Sequence, residues 1–223
     1  MDYSSLLTSV DSYMNRSDLT SEIPDFIERA EEEMNAFLAQ NPVRPMIKTY
    51  TLTPSTARVD LPDDFMDALE LTATDSDSNS WPLVRLDVQD QFAHYKRALA
   101  PGVEYNSSDI QHYKILGDTI VLSATPSSLT LTLDCYTKLT AVTDTNATNW
   151  LMSAHGDAYL FGTLAHAAHR IRDYAFRDEN KALFQGIMDM VARSYPERKR
   201  AIGRRVVDAP WSGSAWNINT DTN

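Results

Sequence analysis

Three closely spaced histidines, a lone cysteine and an excess of carboxylates are the residues here whose chemistry could exceed a structural role. His166 and His169 stand three apart, which places both on one face of a helix, where two imidazoles could share a metal ion; His155 lies shortly before them. No cysteine and no HExxH pattern accompanies them, so a helix seam or an intersubunit contact is the simpler reading. Cys135 sits in an apolar-alternating run and reads as a small core residue rather than a nucleophile. The carboxylates invite a glycosidase reading, but that reaction needs two acids across a cleft, one with a raised pKa. Here the acids gather in loops or on an exposed helix face. Only seven glycines occur, and none fall as GxGxxG, a phosphate loop or a GxSxG elbow. The sequence therefore offers no catalytic, cofactor-binding or metal-binding set.

What it does offer is charge. The net charge is −11 and the isoelectric point about 4.8, which argues against a phosphate-binding body, since that requires a basic face. The charge is uneven. Between Val59 and Val84 there are seven acids, among them Asp63, Asp64 and Asp67, and no base. Between Arg193 and Arg205 there are six bases, including Arg198, Lys199, Arg200, Arg204 and Arg205, against the single acid Glu197; this stretch is +5 and the remainder −16. Two solvated patches would account for this, and so would complementary docking surfaces that steer assembly. Aromatic residues interleave only weakly with the bases from Tyr195 to Trp216, fewer rings than a single-strand binding platform needs.

The elements that must position these residues follow from periodicity. Tyr3 to Tyr13 gives a short helix with Leu6, Leu7 and Val10 on one side. Ser21 can cap a second helix whose first turn tolerates Pro24, and Ile23, Phe26, Ile27, Ala30, Met34, Phe37 and Leu38 trace one stripe of it. Glu28, Glu31, Glu32 and Glu33 take its other faces. From Lys48 the pattern turns extended, with strands read over Arg58–Leu61, Leu69–Thr74 and Trp81–Leu86, a helix from Asp87 to about Ala98, and a hairpin at Gly117-Asp118. Leu129 to Leu139 alternates, with Leu129, Leu131, Leu133 and Cys135 on one face and Thr130, Thr132, Asp134 and Tyr136 on the other. Helix returns from about Asp157 to Arg177, with Leu160, Leu164, Ala167, Ala168, Ile171 and Tyr174 inward. Asp178 can cap a last helix carrying Leu183, Ile187, Met190 and Val191. The expected fold is α+β: a helical domain formed by both chain ends (1–47 and 143–205), an inserted mostly antiparallel β domain (48–142), and an extended, flexible C-terminal tail (206–223), whose Gly, Pro, Ser and Asn content cannot bury enough surface to order itself. No apolar run is long enough for a membrane span, and the start lacks the basic region of a signal peptide.

In order along the chain, SEIPDFIERAEEEMNAFL, TLTPSTARVDLPDDFMDALEL, WPLVRLDVQDQF, the pair YKILGDTIVLSATP and LTLDCYTKLTAVTD, and NWLMSAHGDAYLFGTLAHAAHRIRD followed by ALFQGIMDMV resemble the head-to-tail adaptor family of tailed bacteriophages. The resemblance covers about residues 3 to 195 and departs at Ala154-His155-Gly156, where family members more often carry a proline. It implies a structural virion protein at the head–tail interface, assembled in the host cytoplasm. Such an adaptor docks on the portal protein, forms a dodecameric ring that continues the DNA channel without sequence-specific binding, and receives the next tail component, a nozzle or a tail-tube or hub protein. The C-terminal extension of such adaptors reaches the portal, so Arg198, Lys199, Arg200, Arg204, Arg205, Trp211 and Trp216 are the expected portal-binding residues. Asp63, Asp64 and Asp67 are expected on an intersubunit or tail-facing rim. The rival reading is a tail-associated enzyme such as a cell-wall hydrolase.

Overall fold

The computed structural model describes residues 1–16, 18–86, 110–126 and 128–195. Helix α1 (Tyr3–Met14) buries Tyr3, Leu6 and Val10, and the Asp2 side chain caps it by accepting from Ser5 N. Helix α2 (Ile23–Gln40) buries the apolar stripe read from its periodicity apart from Phe37, which is half-buried, but Ser21 is not its cap. Ser21 lies in a 3₁₀ turn (Thr20–Glu22), and Glu22 occupies the cap position without a side-chain hydrogen bond. Pro24 in the first turn removes one of the amides that a cap would satisfy, so the helix starts without one.

Among the described residues eight strands follow. β1 (Ile47–Leu52), β8 (Thr130–Thr137), β3 (Phe65–Thr74) and β4 (Ser80–Pro82) form one antiparallel sheet in the order β1-β8-β3-β4. β2 (Arg58–Asp60), β7 (Thr119–Leu122), β6 (His112–Leu116) and β5 (Val84–Arg85) form the second, in which only β5 and β6 run parallel. The extended stretch read over Trp81–Leu86 changes sheet at Leu83, which is buried and donates its N–H to Leu71 O at 2.8 Å. β3 starts four residues before Leu69, because irregularities between Phe65 and Asp67 and between Ala68 and Glu70 interrupt the alternation that marks a strand in sequence. Gly117 turns the β6–β7 hairpin at φ +59°, as its position between alternating runs implies. The helix expected from Asp87 lies outside the described residues.

The final helices depart most from the periodic reading. Trp150–Ala154 forms its own short helix α3, capped by Asn149, whose side chain accepts from Met152 N at 2.9 Å. α4 (Gly156–Arg170) stops well before Arg177. The chain turns through Arg172 at φ 61°, and Asp173, not Asp178, caps α5 (Tyr174–Ser194). The polar run Arg170, Arg172 and Asp173 cannot extend the apolar stripe of α4, so the chain folds back and packs α5 along it. Tyr174, expected inward, is consequently exposed, as are Leu183 and Met190. The fold is α+β, with two cores among the described residues. One is helical and takes in Met46, Tyr136, Leu139 and Val142 from the strand region; the other is shared by both sheets around Leu71, Ile120, Leu131, Leu133 and Cys135. β8 serves both, since Cys135 faces the sheet core while the adjacent Tyr136 enters the helical one.

Two glycines measure how closely the helices approach. A Cβ at Gly162 of α4 would stand 3.2 Å from the Phe184 ring and 3.3 Å from Ala30 Cβ, whereas one at Gly186 meets nothing within 4 Å among the described residues. Gly162→Val should therefore destabilise the fold by about 1–3 kcal/mol through overpacking. Gly186→Ala should stabilise it by about 0.5–1 kcal/mol through chain entropy. Urea midpoints moving in opposite directions for the two variants are the expected result.

Candidate functional site

The Pro62–Asp64 turn joins β2 to β3 and is held by Leu61 N–H donating to Asp118 O and Phe65 N–H to Pro62 O. It brings the three predicted acids to one end of the first sheet, but their chemistry differs. Asp63 is exposed. Asp64 is half-buried: Lys48 Nζ and the Tyr50 hydroxyl, both from β1, donate to it at 2.8 Å and 2.6 Å. It thereby ties β3 to β1 across the intervening β8. Burial would raise the Asp64 pKa, yet the Lys48 and Tyr50 hydrogen bonds outweigh it and hold the carboxyl below its ordinary value. Asp67 is exposed and pairs with Arg85 at 2.9 Å. The charge of two of these three acids is thus already matched within the chain.

A second polar cluster escapes periodicity altogether. Glu31, expected on an outer face of α2 with its neighbouring acids, is 7% exposed. Its Oε1 accepts from Val142 N–H at 2.9 Å and from the Tyr159 hydroxyl at 3.0 Å. One turn further along α2, Asn35 Oδ1 accepts from Leu139 N–H at 2.9 Å. Asn149 Nδ2 donates to Thr140 O at 2.8 Å and to the Tyr159 hydroxyl at 2.6 Å, and Asn146 Nδ2 donates to Ala141 O at 2.6 Å. Four side chains therefore grip four consecutive residues, 139–142, as the chain leaves β8 for the helices. Burial raises the Glu31 pKa, and its two hydrogen bonds only partly oppose this. The sequence signal was present but faint: Glu31 is spaced i, i+4 from Ile27 and Asn35, on the flank of the apolar stripe.

The histidines do not converge. His166 Nε2 stands 3.3 Å from Glu33 Oε2, and burial pushes its pKa down against the pull of that carboxylate. His169 meets the Tyr174 ring and His155 the Tyr195 ring, both edge-on. Among the described residues, no group of three His, Cys, Asp or Glu could hold a metal ion. Burial raises the Cys135 pKa to about 11, which keeps its thiol protonated near neutrality. No helix among the described residues is long and apolar enough to cross a membrane. Arg198, Lys199, Arg200, Arg204, Arg205, Trp211 and Trp216 lie outside the described residues. The chain approaches them through Tyr195, whose ring is met edge-on by Trp150 at 6.3 Å.

The described residues thus join a helical core to two sheets, with Asp64 and Asp67 paired within the chain and Asp63 exposed. The model of the SU10 adaptor protein family matches residues 1–211. The chain belongs to that family and is a bacteriophage structural adaptor, a head-to-tail adaptor and hence a virion component. A search of curated proteins returns no match.

The half-buried Asp64 and the buried Glu31 should titrate stability in opposite directions. The Asp64 pKa is depressed, so its contribution is present above the ordinary value of 3.8 and is lost as pH falls through the folded value. Asp64→Asn should destabilise at pH 7 and converge on the wild type in acid. The Glu31 pKa is raised, so the wild type should lose stability relative to Glu31→Gln as pH rises from the ordinary value of 4.5 through the folded value. Glu31→Ala, which leaves the Val142 N–H and the Tyr159 O–H without their acceptor, should cost about 2–5 kcal/mol. Urea unfolding between pH 3 and pH 8, scanned roughly one pH unit at a time to span both windows, checks all three.

Proposed function

We propose that this adaptor docks on the portal vertex through its C-terminal segment, closes into a dodecameric ring that continues the DNA channel, and gives the next tail component its attachment platform. The work is mechanical rather than enzymatic. Assembly takes place in the host cytoplasm, and DNA passes the ring without sequence-specific contact. One observation carries the reading: the family match runs to residue 211 and so includes the basic cluster and Trp211. Arg198, Lys199, Arg200, Arg204 and Arg205 can draw the segment toward an acidic partner. Trp211 and Trp216 can then bury large apolar surface, as tryptophans do at interface anchors. Asp63, the exposed member of the acidic turn, leaves a charge for a neighbouring subunit or the tail. We read the helical core and the sheet core as two domains, 1–47 with 143–205 and 48–142, the first for ring and portal and the second for the opposite face.

Mixing the full chain with portal rings should convert it to a ring-bound form on sizing or by cryo-electron microscopy, at a rate that falls as salt rises. Deleting Val206–Asn223 should leave the melting temperature of the free protein nearly unchanged and abolish portal binding. Trp211→Ala with Trp216→Ala should weaken binding by about 10-fold to 1,000-fold, the scale of interface hot spots. Truncated protein that joins portal-filled heads as well as the full chain overturns the C-terminal anchor.

A further inference from the structure

α5 has two apolar faces, and the described chain covers only one. Phe184, Met188 and Val191 lie in the helical core. Across the helix from them, Glu179, Ala182, Leu183, Gly186, Met190 and Arg193 are all exposed. Leu183 and Met190 flank Gly186 one turn to either side and are 46% and 47% exposed, so they are neighbours on one patch rather than scattered. A glycine in mid-helix weakens the helix relative to alanine. Nothing in the described chain offsets that here, since a Cβ at Gly186 would meet no atom within 4 Å. Gly162 differs, because Phe184 and Ala30 occupy the space beside it. A bare backbone at Gly186 leaves room for the close approach of something from outside the chain.

The charges on either side of Gly186 indicate what approaches. Glu179 lies seven residues before it and Arg193 seven after. Seven residues make nearly two full turns, so both charges stay on the glycine's face, each about 10 Å from it along the axis. The ion pairs of α5 among the described residues use Arg177, Asp178 and Lys181 and leave Glu179 and Arg193 out. Such a face is complementary to itself when turned end over end. A second α5 laid antiparallel about a two-fold axis at Gly186 brings Glu179 level with Arg193 of the other copy, at both ends of the contact. Met190 comes level with Ala182 and beside Leu183, and the two glycines meet at the axis. Asp189, at the edge of the face, comes level with Leu183 and not with its own counterpart. A parallel pair would instead oppose Glu179 to Glu179. At 0.15 M salt, where the Debye length is about 8 Å, the −11 carried by each copy is largely screened beyond the seam.

We propose that the free chain pairs with a second copy of itself through α5, antiparallel about Gly186, with two Glu179–Arg193 ion pairs enclosing Leu183 and Met190. A single helix-on-helix contact belongs to the small, reversible class of interfaces. A two-fold pair closes on itself, so this face cannot propagate a ring while it is paired. The pair therefore goes beyond the portal reading: it is a state of the chain before it meets the portal, in which the outer face of α5 is covered.

Sedimentation velocity of the full chain without portal, over a concentration series, should show a monomer–dimer equilibrium. Gly186→Glu, which sets two like charges at the axis, should weaken the dimer by about tenfold or more. Glu179→Arg and Arg193→Glu should each weaken it separately. Mixed in equal amounts, these two variants should pair again, because one carries arginine at both ends of the face and the other glutamate. Recovery on mixing also shows both variants folded. A chain that stays monomeric throughout the series overturns the proposal. So does a dimer indifferent to Gly186→Glu, and so do charge variants that keep the helical circular dichroism of the wild type yet fail to pair on mixing. Species that grow past the dimer overturn it as well, by showing head-to-tail contact. Loss of portal binding with pairing retained strikes the portal reading alone.

Discussion

The four residues from Leu139 to Ala141 and Val142 are the constraint on which the arrangement rests. They carry the chain from the sheet core to the helical core, and they have no strand partner to satisfy their backbone. An amide or carbonyl taken out of water without a partner costs on the order of 1–3 kcal/mol. Here α2 supplies acceptors through Glu31 and Asn35, and the α3 approach supplies donors through Asn146 and Asn149. Leu139 and Val142 can then enter the helical core, because their amides are already matched.

The grip also sets how the two cores meet. β8 ends at Thr137, just before it, and β8 is the strand through which β1 and β3 are joined. Thr137 Oγ1 reinforces the junction by donating to Met46 O. The joint is therefore made of directed hydrogen bonds as well as apolar contact. The cost is a carboxylate held in a dry place, which its raised pKa records.

The acidic turn follows a different logic. Most of its charge is matched at short range, by Lys48 for Asp64 and by Arg85 for Asp67. Exposed ion pairs such as Asp67–Arg85 add little stability. What they add is a fixed pattern of charge, with Asp63 left outward. Charge steering depends on such patterns more than on totals.

Much was legible in the linear chain: the α2 stripe, the Gly117-Asp118 hairpin, the alternation of Leu131, Leu133 and Cys135, and the order helices, strands, helices all follow from local periodicity and turn chemistry. The break between α4 and α5 was not, because Asp173 and Asp178 are equally good caps in sequence and only the packing of α5 against α4 chooses between them. The start of β3 was hidden by its irregularities. Asp63, Asp64 and Asp67 were visible as a cluster, but which of them is spent internally depended on where β1 placed Lys48 and Tyr50. Glu31 looked like any other acid of an exposed helix face. Its role became visible only when residues 139–142 were laid across α2, because burial and hydrogen bonding between residues more than a hundred positions apart are properties of the fold, whereas periodicity registers only neighbours within a turn or two.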